Sequence, residues 1–155
     1  MSTLTRTLGA ASVAIVVLLG GGCAAERARP ATAPAPAAPA ADGGSSGIES
    51  GEGTYFVSFT TRPDPIPVNA EFEIEAVVLD AKTRTRPAED VDLAVDAGMP
   101  EHGHGMNVVP RVERLAGGRF RAVGLVFHMP GRWELAFDVT RGAVTERAQT
   151  LVEID

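Results

Sequence analysis

Glu71–Asp80 reads EFEIEAVVLD, and its alternation decides the fold class. Phe72, Ile74, Ala76 and Val78 fall on one side, Glu71, Glu73 and Glu75 on the other. Side chains in a strand alternate between faces, so a period of two with one apolar and one charged side describes a half-buried β-strand. DVDLAVDA (Asp90–Ala97) repeats the pattern, with Val91, Leu93 and Val95 facing inward. The glutamate row reads as a solvated sheet face rather than a cation site.

Working outward, YFVSFTT (Tyr55–Thr61) is aromatic and β-branched, and RPDPIPVNA (Arg62–Ala70) breaks it. NVVPRVERL (Asn107–Leu115) predicts a strand interrupted by Pro110, hence at a sheet edge, because proline cannot donate to a ladder. Ala116-Gly117-Gly118 makes a turn. RFRAVGLVFHM (Arg119–Met129) and RWELAFDVT (Arg132–Thr140) read as a hairpin around Pro130-Gly131, and AVTERAQTLVEI (Ala143–Ile154) closes the chain. No stretch carries a helical period. About seven short strands at roughly 8–12-residue spacing predict an all-β, immunoglobulin-like antiparallel β-sandwich. Trp133, Leu135 and Phe137 on one strand face anchor its core, without the inter-sheet disulfide of antibody domains.

This domain, residues 54–155, follows a segment of different composition. ERARPATAPAPAAPAADGGSSGIESGEG (Glu26–Gly53) holds Ile48 as its only large apolar residue. Such a segment cannot bury enough surface to offset its ordering entropy, which predicts a disordered tether. Before it, Arg6 precedes an apolar run, Leu8–Leu19, that ends in Gly20-Gly21-Gly22-Cys23. A charged start, a short apolar stretch and small residues form an export-signal pattern over residues 1–22. The run falls short of the about 20 apolar residues of a membrane span.

Cys23 is the only cysteine, so it has no disulfide partner. Its surroundings resemble a bacterial lipobox, with Gly20 where a branched aliphatic is usual and Leu19 one step earlier. That resemblance implies lipidation at Cys23, a membrane anchor, and a head in the periplasm or extracytoplasmic space. Ala24, rather than aspartate, follows the cysteine, which favours the outer membrane where a cell has one.

Charge and catalytic motifs mainly exclude. The 155-residue chain carries a net charge of −6, with scattered arginines and no basic run, which argues against nucleic acid or anionic lipid as a main partner. No serine elbow, phosphate-binding glycine loop or cysteine nucleophile of the folded head is present. Asp96 and His102 could form a dyad, but no nucleophile completes it. The expectation is a protein that is not an enzyme.

Ligand chemistry, in contrast, is concentrated. MPEHGHGM (Met99–Met106) holds two of the three histidines, and His128-Met129 holds the third. If Glu101–Asn107 is extended, His102, His104 and Met106 project to one side at spacing two. Imidazole and thioether suit Cu(I), whereas imidazole with oxygen suits Cu(II) or zinc. Thiolates, common in structural zinc sites, are missing. Adjacent strand residues point oppositely, so only one of His128 and Met129 should join such a site. The candidate ligands are therefore His102, His104, Met106 and His128, with Met99 and Met129 as weaker ones that equally suit core packing. In the competing reading the loop is a tight glycine turn whose histidines cap backbone groups or sit in water. A cluster of three histidines would also suit a pH-sensitive surface.

DAGMPEHGHGMNVVP (Asp96–Pro110), followed by GGRFRAVGLVFHMPGRWELAFDV (Gly117–Val139), resembles the YtkA-like and FixH-like group of small exported bacterial domains. In that group a glycine-, histidine- or methionine-rich Met-Pro loop precedes a strand, and a glycine–aromatic then Met-Pro-Gly-x-Trp segment follows. The matching positions here are Met99, Pro100, His102, Gly103, His104, Gly105 and Met106, then Gly118-Arg119-Phe120 and Met129–Trp133. The resemblance spans about Phe56 to Ile154 and implies an immunoglobulin-like sandwich associated with copper handling or cytochrome oxidase maturation. The expected function is an envelope-anchored copper-binding or copper-transfer module, with a copper-receiving or other envelope protein as partner. The alternative is a non-enzymatic structural or protein-interaction domain.

Overall fold

A computed structural model of the chain describes residues 46–155. The expected export signal, Cys23 and the expected tether up to residue 45 lie outside the described residues. Nine strands make two antiparallel sheets: β1 (Ser46–Glu49), β2 (Tyr55–Arg62), β3 (Glu71–Asp80), β4 (Asp92–Met99), β5 (His104–Gly105), β6 (Arg111–Arg114), β7 (Arg119–Val126), β8 (Gly131–Arg141) and β9 (Val144–Ile154). One sheet runs β1-β2-β3-β7-β6 and the other β5-β4-β8-β9. The head is an all-β, immunoglobulin-like antiparallel sandwich. It has two more strands than the expected seven because β1 and β5 are short additions at the sheet edges.

The alternating strands behave as their patterns require. Phe72, Ile74, Ala76 and Val78 are buried on β3, as are Leu93, Val95, Ala97 and Met99 on β4, with Val91 just before it. Trp133, Leu135, Phe137 and Val139 on β8 are fully buried and complete the core from the second sheet. Each buried Val, Leu, Ile, Phe or Met side chain among them contributes roughly 1.5–3 kcal/mol by leaving water. On the outer face of the first sheet, Glu73 accepts hydrogen bonds from Arg121, and Glu75 lies near Arg62 and Arg119. The glutamate row is thus a solvated face, laced with arginine.

Three sequence expectations are corrected. Ser46–Glu49, assigned to the tether, is strand β1, whose Ile48 faces Val57 and packs against the core. Asn107–Leu115 is strand only from Arg111 to Arg114, beyond Pro110, at the sheet edge that the proline predicts. Most consequential, β7 and β8 are not a hairpin. They belong to different sheets, so Phe127–Pro130 crosses the sandwich.

A bulge in β7 explains the crossover. Phe72 faces Leu125 while Ile74 faces Ala122, so Glu73 alone opposes Val123 and Gly124. Gly124 takes a positive φ of 78°, the left-handed conformation such a bulge uses. The extra residue shifts the alternation by one. Phe120 and Ala122 face the core before it, Leu125 and Phe127 after it. Phe127 then stacks on Trp133 with ring centroids 4.6 Å apart and planes 13° from parallel, bridging the sheets where the chain crosses.

A buried polar lock ties the start of the head to β9. Ser50 Oγ donates to Glu146 Oε2 at 2.7 Å and accepts from the Tyr55 N–H at 3.0 Å. Both Ser50 and Glu146 are buried, so each polar atom needs its partner. Burial pushes the Glu146 carboxyl up, but hydrogen bonds donated by Thr54 and Ser50 outweigh it and hold the group below its usual range.

Candidate metal site

The candidate ligands meet at one pole of the sandwich, where β4 ends and the β7–β8 crossover passes. After Met99 the chain turns rather than continuing extended. The His102 and Gly103 N–H groups both donate to Met99 O, at 3.1 and 2.9 Å. Gly103 takes φ +68°, with open space where a Cβ would stand. The chain returns as β5, with His104 opposite Met99 and Gly105 opposite Gly98, and the Met106 N–H closes the turn on Ala97 O at 3.1 Å.

The expectation of an extended Glu101–Asn107, with ligands at spacing two, is therefore corrected. Gly103 lets the backbone fold back so that Met99 O accepts two bonds, which an extended segment could not supply. The turn still gathers histidines. Directly opposed residues of an antiparallel pair share a face, so His104 lies on the inward face of β4 with Met99, at the margin of the core. The His102 ring sits 5.7 Å from that of His104.

His128 approaches from the other sheet. Because the Gly124 bulge points Phe127 into the core, His128 turns toward the rim, and its ring lies 5.1 Å from that of His104. Of the adjacent pair it is the histidine that joins the cluster. Met129 is half-buried and packs against the core, and its carbonyl accepts the Trp133 indole N–H at 3.1 Å. Met99 is core, 2% exposed. Met106 is half-buried against the same core margin. The structure thus brings His102, His104 and His128 together, gives Met99 and Met129 packing roles, and leaves Met106 partly exposed in the segment that follows His104.

Trp133, read from sequence only as core, is the platform of this cluster. Its ring lies 6.1 Å from His104 and 5.3 Å from His128, both nearly edge-on, while Phe127 stacks against it. The position of Trp133 five residues after His128 was the available signal, but its use depends on the crossover.

The ring nitrogens are unevenly satisfied. His104 Nδ1 lies 3.3 Å from Gly105 O. A carbonyl only accepts, so Nδ1 is the donor in this contact, and Nε2 is the nitrogen that could meet a metal. His128 Nδ1 is buried without a hydrogen-bond partner. Such an orphan costs about 1–3 kcal/mol, which a metal or proton partner would recover. Two imidazoles on one ion, with metal–nitrogen bonds of about 2.0 Å, place their centroids roughly 5–6 Å apart. The spacings here fit that range. Among the described residues, no group of three or more His, Cys, Asp or Glu side chains stands ready-arranged around a metal position.

One ion pair borders the cluster. Glu101, in the turn beside His102, accepts a hydrogen bond from Arg132 at the start of β8. That bond and the carboxylate charge raise the guanidinium pKa. The pairing was not legible because it joins segments whose approach depends on the two-sheet topology. Asp96 makes no dyad: its Oδ1 accepts from the Ala97 N–H at 2.8 Å. No protein family, characterised protein or solved structure matches the chain.

Proposed function

We propose that this domain is a soft-metal module of the cell envelope, taking up Cu(I) at the pole formed by the His turn and the β7–β8 crossover and passing it to a partner protein. His104 and His128 would hold the ion, with His102 and the Met106 thioether as the adjoining donors. The observation that carries this reading is the 5.1 Å approach of His104 on β5 and His128 on the β7–β8 crossover, with His128 Nδ1 left unsatisfied. A donor set of imidazole and thioether without thiolate or carboxylate matches a soft, monovalent ion. Because the nitrogens are near but not preset on one point, binding would draw the rings together by side-chain rotation. A site of that kind releases its ion readily, as transfer requires. Cys23 would supply the anchor through its lipid, and the tether the reach.

The test is a competition titration. The full chain carrying Cys23→Ser, which removes the competing thiol, is titrated against a coloured Cu(I)–chelator complex under anaerobic reducing conditions. One copper per chain is expected, lost on His102→Ala/His104→Ala/Met106→Ala and on His128→Ala. Failure of Cu(I), Cu(II) and zinc alike to bind overturns the reading. A protein-interaction role would then take its place, favoured by Val109, which is 95% exposed beside the His turn.

A further inference from the structure

We infer that Trp133 is itself part of the metal site, one face of its indole lying against the ion that His104 and His128 hold and favouring Cu(I) over zinc. This rests on the metal-binding reading and goes beyond it, from which residues donate lone pairs to how a monovalent ion is preferred.

Trp133 is the last large side chain on the inward face of β8 before the pole. The next inward position, Gly131, has none, and the Met99 methyl stands 3.0 Å from where a Cβ would be. Two contacts fix the indole. Its N–H donates to Met129 O at 3.1 Å, and Phe127 stacks on one face with planes 13° from parallel. Trp133 is 0% exposed, so its second face is also closed to bulk water.

Both histidines stand steeply inclined to the indole, at 71° for His104 and 83° for His128, with ring centroids 6.1 and 5.3 Å from its own. The two imidazoles are 5.1 Å from each other, so the three rings form a compact triangle. An ion about 2.0 Å from one nitrogen of each imidazole then lies between them, roughly 3–7 Å from the indole centroid. A cation over an indole face within about 6 Å of its centroid is attracted by the ring quadrupole, most strongly where water is excluded. Phe127 occupies one face, which leaves the other for the ion.

Such a contact supplies no lone pair. Cu(I), a soft ion content with two or three donors, needs no more than the imidazoles and a thioether. Zinc completes a tetrahedron with further nitrogen, oxygen or sulfur donors. An indole face against the ion takes up the room that those donors need.

The test uses fluorination, which withdraws electron density from the indole face while nearly keeping its shape. Trp133 is the only tryptophan, so growth on a fluorinated analogue alters one residue. The full chain with Cys23→Ser is made with tryptophan and with its mono-, di- and tetrafluoro analogues. Urea denaturation without metal identifies the folded proteins, and the mono- and difluoro chains carry the test if the tetrafluoro chain does not fold. Cu(I) and zinc affinities are then measured by chelator competition. Cu(I) affinity should fall by about twofold per fluorine, the scale of a desolvated cation–π contact spread over the series. Zinc affinity should stay within about twofold throughout. Fluorine also makes the indole N–H a better donor to Met129 O, so a purely structural Trp133 would not lose Cu(I) in this graded way. Cu(I) affinity that is unchanged or rises with fluorine overturns the inference, since the ion would then lie at the ring edge or away from it. Equal weakening of Cu(I) and zinc overturns it too, because fluorine would then be displacing the histidines. If the tryptophan-containing chain binds no Cu(I), it is the metal-binding reading itself that falls.

Discussion

His104 on β5 and His128 on the β7–β8 crossover bring their imidazole rings to a centroid separation of 5.1 Å. Two features of the backbone produce this approach. The Pro100–Gly103 turn returns His104 along the inward face of β4, and the Gly124 bulge rephases β7 so that Phe127 goes inward and His128 to the rim. Trp133, fully buried, supports both rings from below. The pole is thus assembled by the sandwich itself, since neither histidine reaches the other without the crossover.

If His128 is kept for a ligand, it should cost the metal-free protein something. Its Nδ1 is buried and unpartnered, and replacing an unsatisfied polar group by an apolar one of similar shape is neutral or stabilising. His128→Phe should leave metal-free stability within about 1 kcal/mol of native, or raise it. It should also abolish Cu(I) binding. Urea denaturation followed by copper titration reads both, and a stability loss well beyond that range would assign the ring to packing.

Trp133 provides a built-in reporter, being the only tryptophan. Stacked on Phe127 and edge-on to both histidines, its emission should change on stoichiometric addition of Cu(I) in the native chain. In His104→Ala/His128→Ala the same addition should leave it unaltered. Equal responses in the two proteins would place the metal elsewhere.

Gly103 and Gly118 share a positive φ, of 68° and 67°, but not their surroundings. A Cβ at Gly103 meets nothing within 4 Å, whereas at Gly118 it would stand 2.9 Å from Val78 O and 3.1 Å from Ala88 O. Gly103→Ala should cost only the left-handed strain, about 1–2 kcal/mol. Gly118→Ala should cost more, on the order of 2–4 kcal/mol, because backbone atoms must move. Equal losses on denaturation would contradict the packing around the Gly117-Gly118 turn.

Glu146 governs part of the acid response. Its folded pKa lies below the ordinary value of 4.5, held there by Thr54 and Ser50 against the effect of burial. The stability it contributes is therefore fully present above that ordinary value and is lost as pH falls through the folded one. Native stability should decline as pH drops below about 4.5, and Ser50→Ala should make that decline shallower while lowering neutral-pH stability by about 1–3 kcal/mol. Parallel pH–stability curves for the two proteins would show that the Ser50–Glu146 bond does not set the depression.

The sandwich was legible wherever one strand face is apolar and the other polar. Glu71–Asp80, Val91–Ala97 and Trp133–Phe137 each carry that signature, and each buries the residues that it marks. Legibility failed where the phase of alternation breaks. One bulge at Gly124 changes which of His128 and Met129 faces the rim, and it turns an apparent hairpin into a crossover. The His turn was misread for a related reason, since spacing two presumes an extended chain and Gly103 removes that premise. Ser46–Glu49 pairs through its backbone, so its Gly- and Ser-rich composition concealed a strand. The Glu101–Arg132 pair and the platform role of Trp133 depend on contacts between segments distant in the chain, which no local pattern encodes.

The central claim, that His104 and His128 bind one ion together, is tested most directly by X-ray absorption at the copper edge of the Cu(I)-loaded chain carrying Cys23→Ser. At least two nitrogen scatterers are expected at about 2.0 Å with the outer-shell pattern of imidazole. That pattern should be lost in His104→Ala/His128→Ala. A spectrum without imidazole scattering, or one unchanged in the double variant, would contradict it.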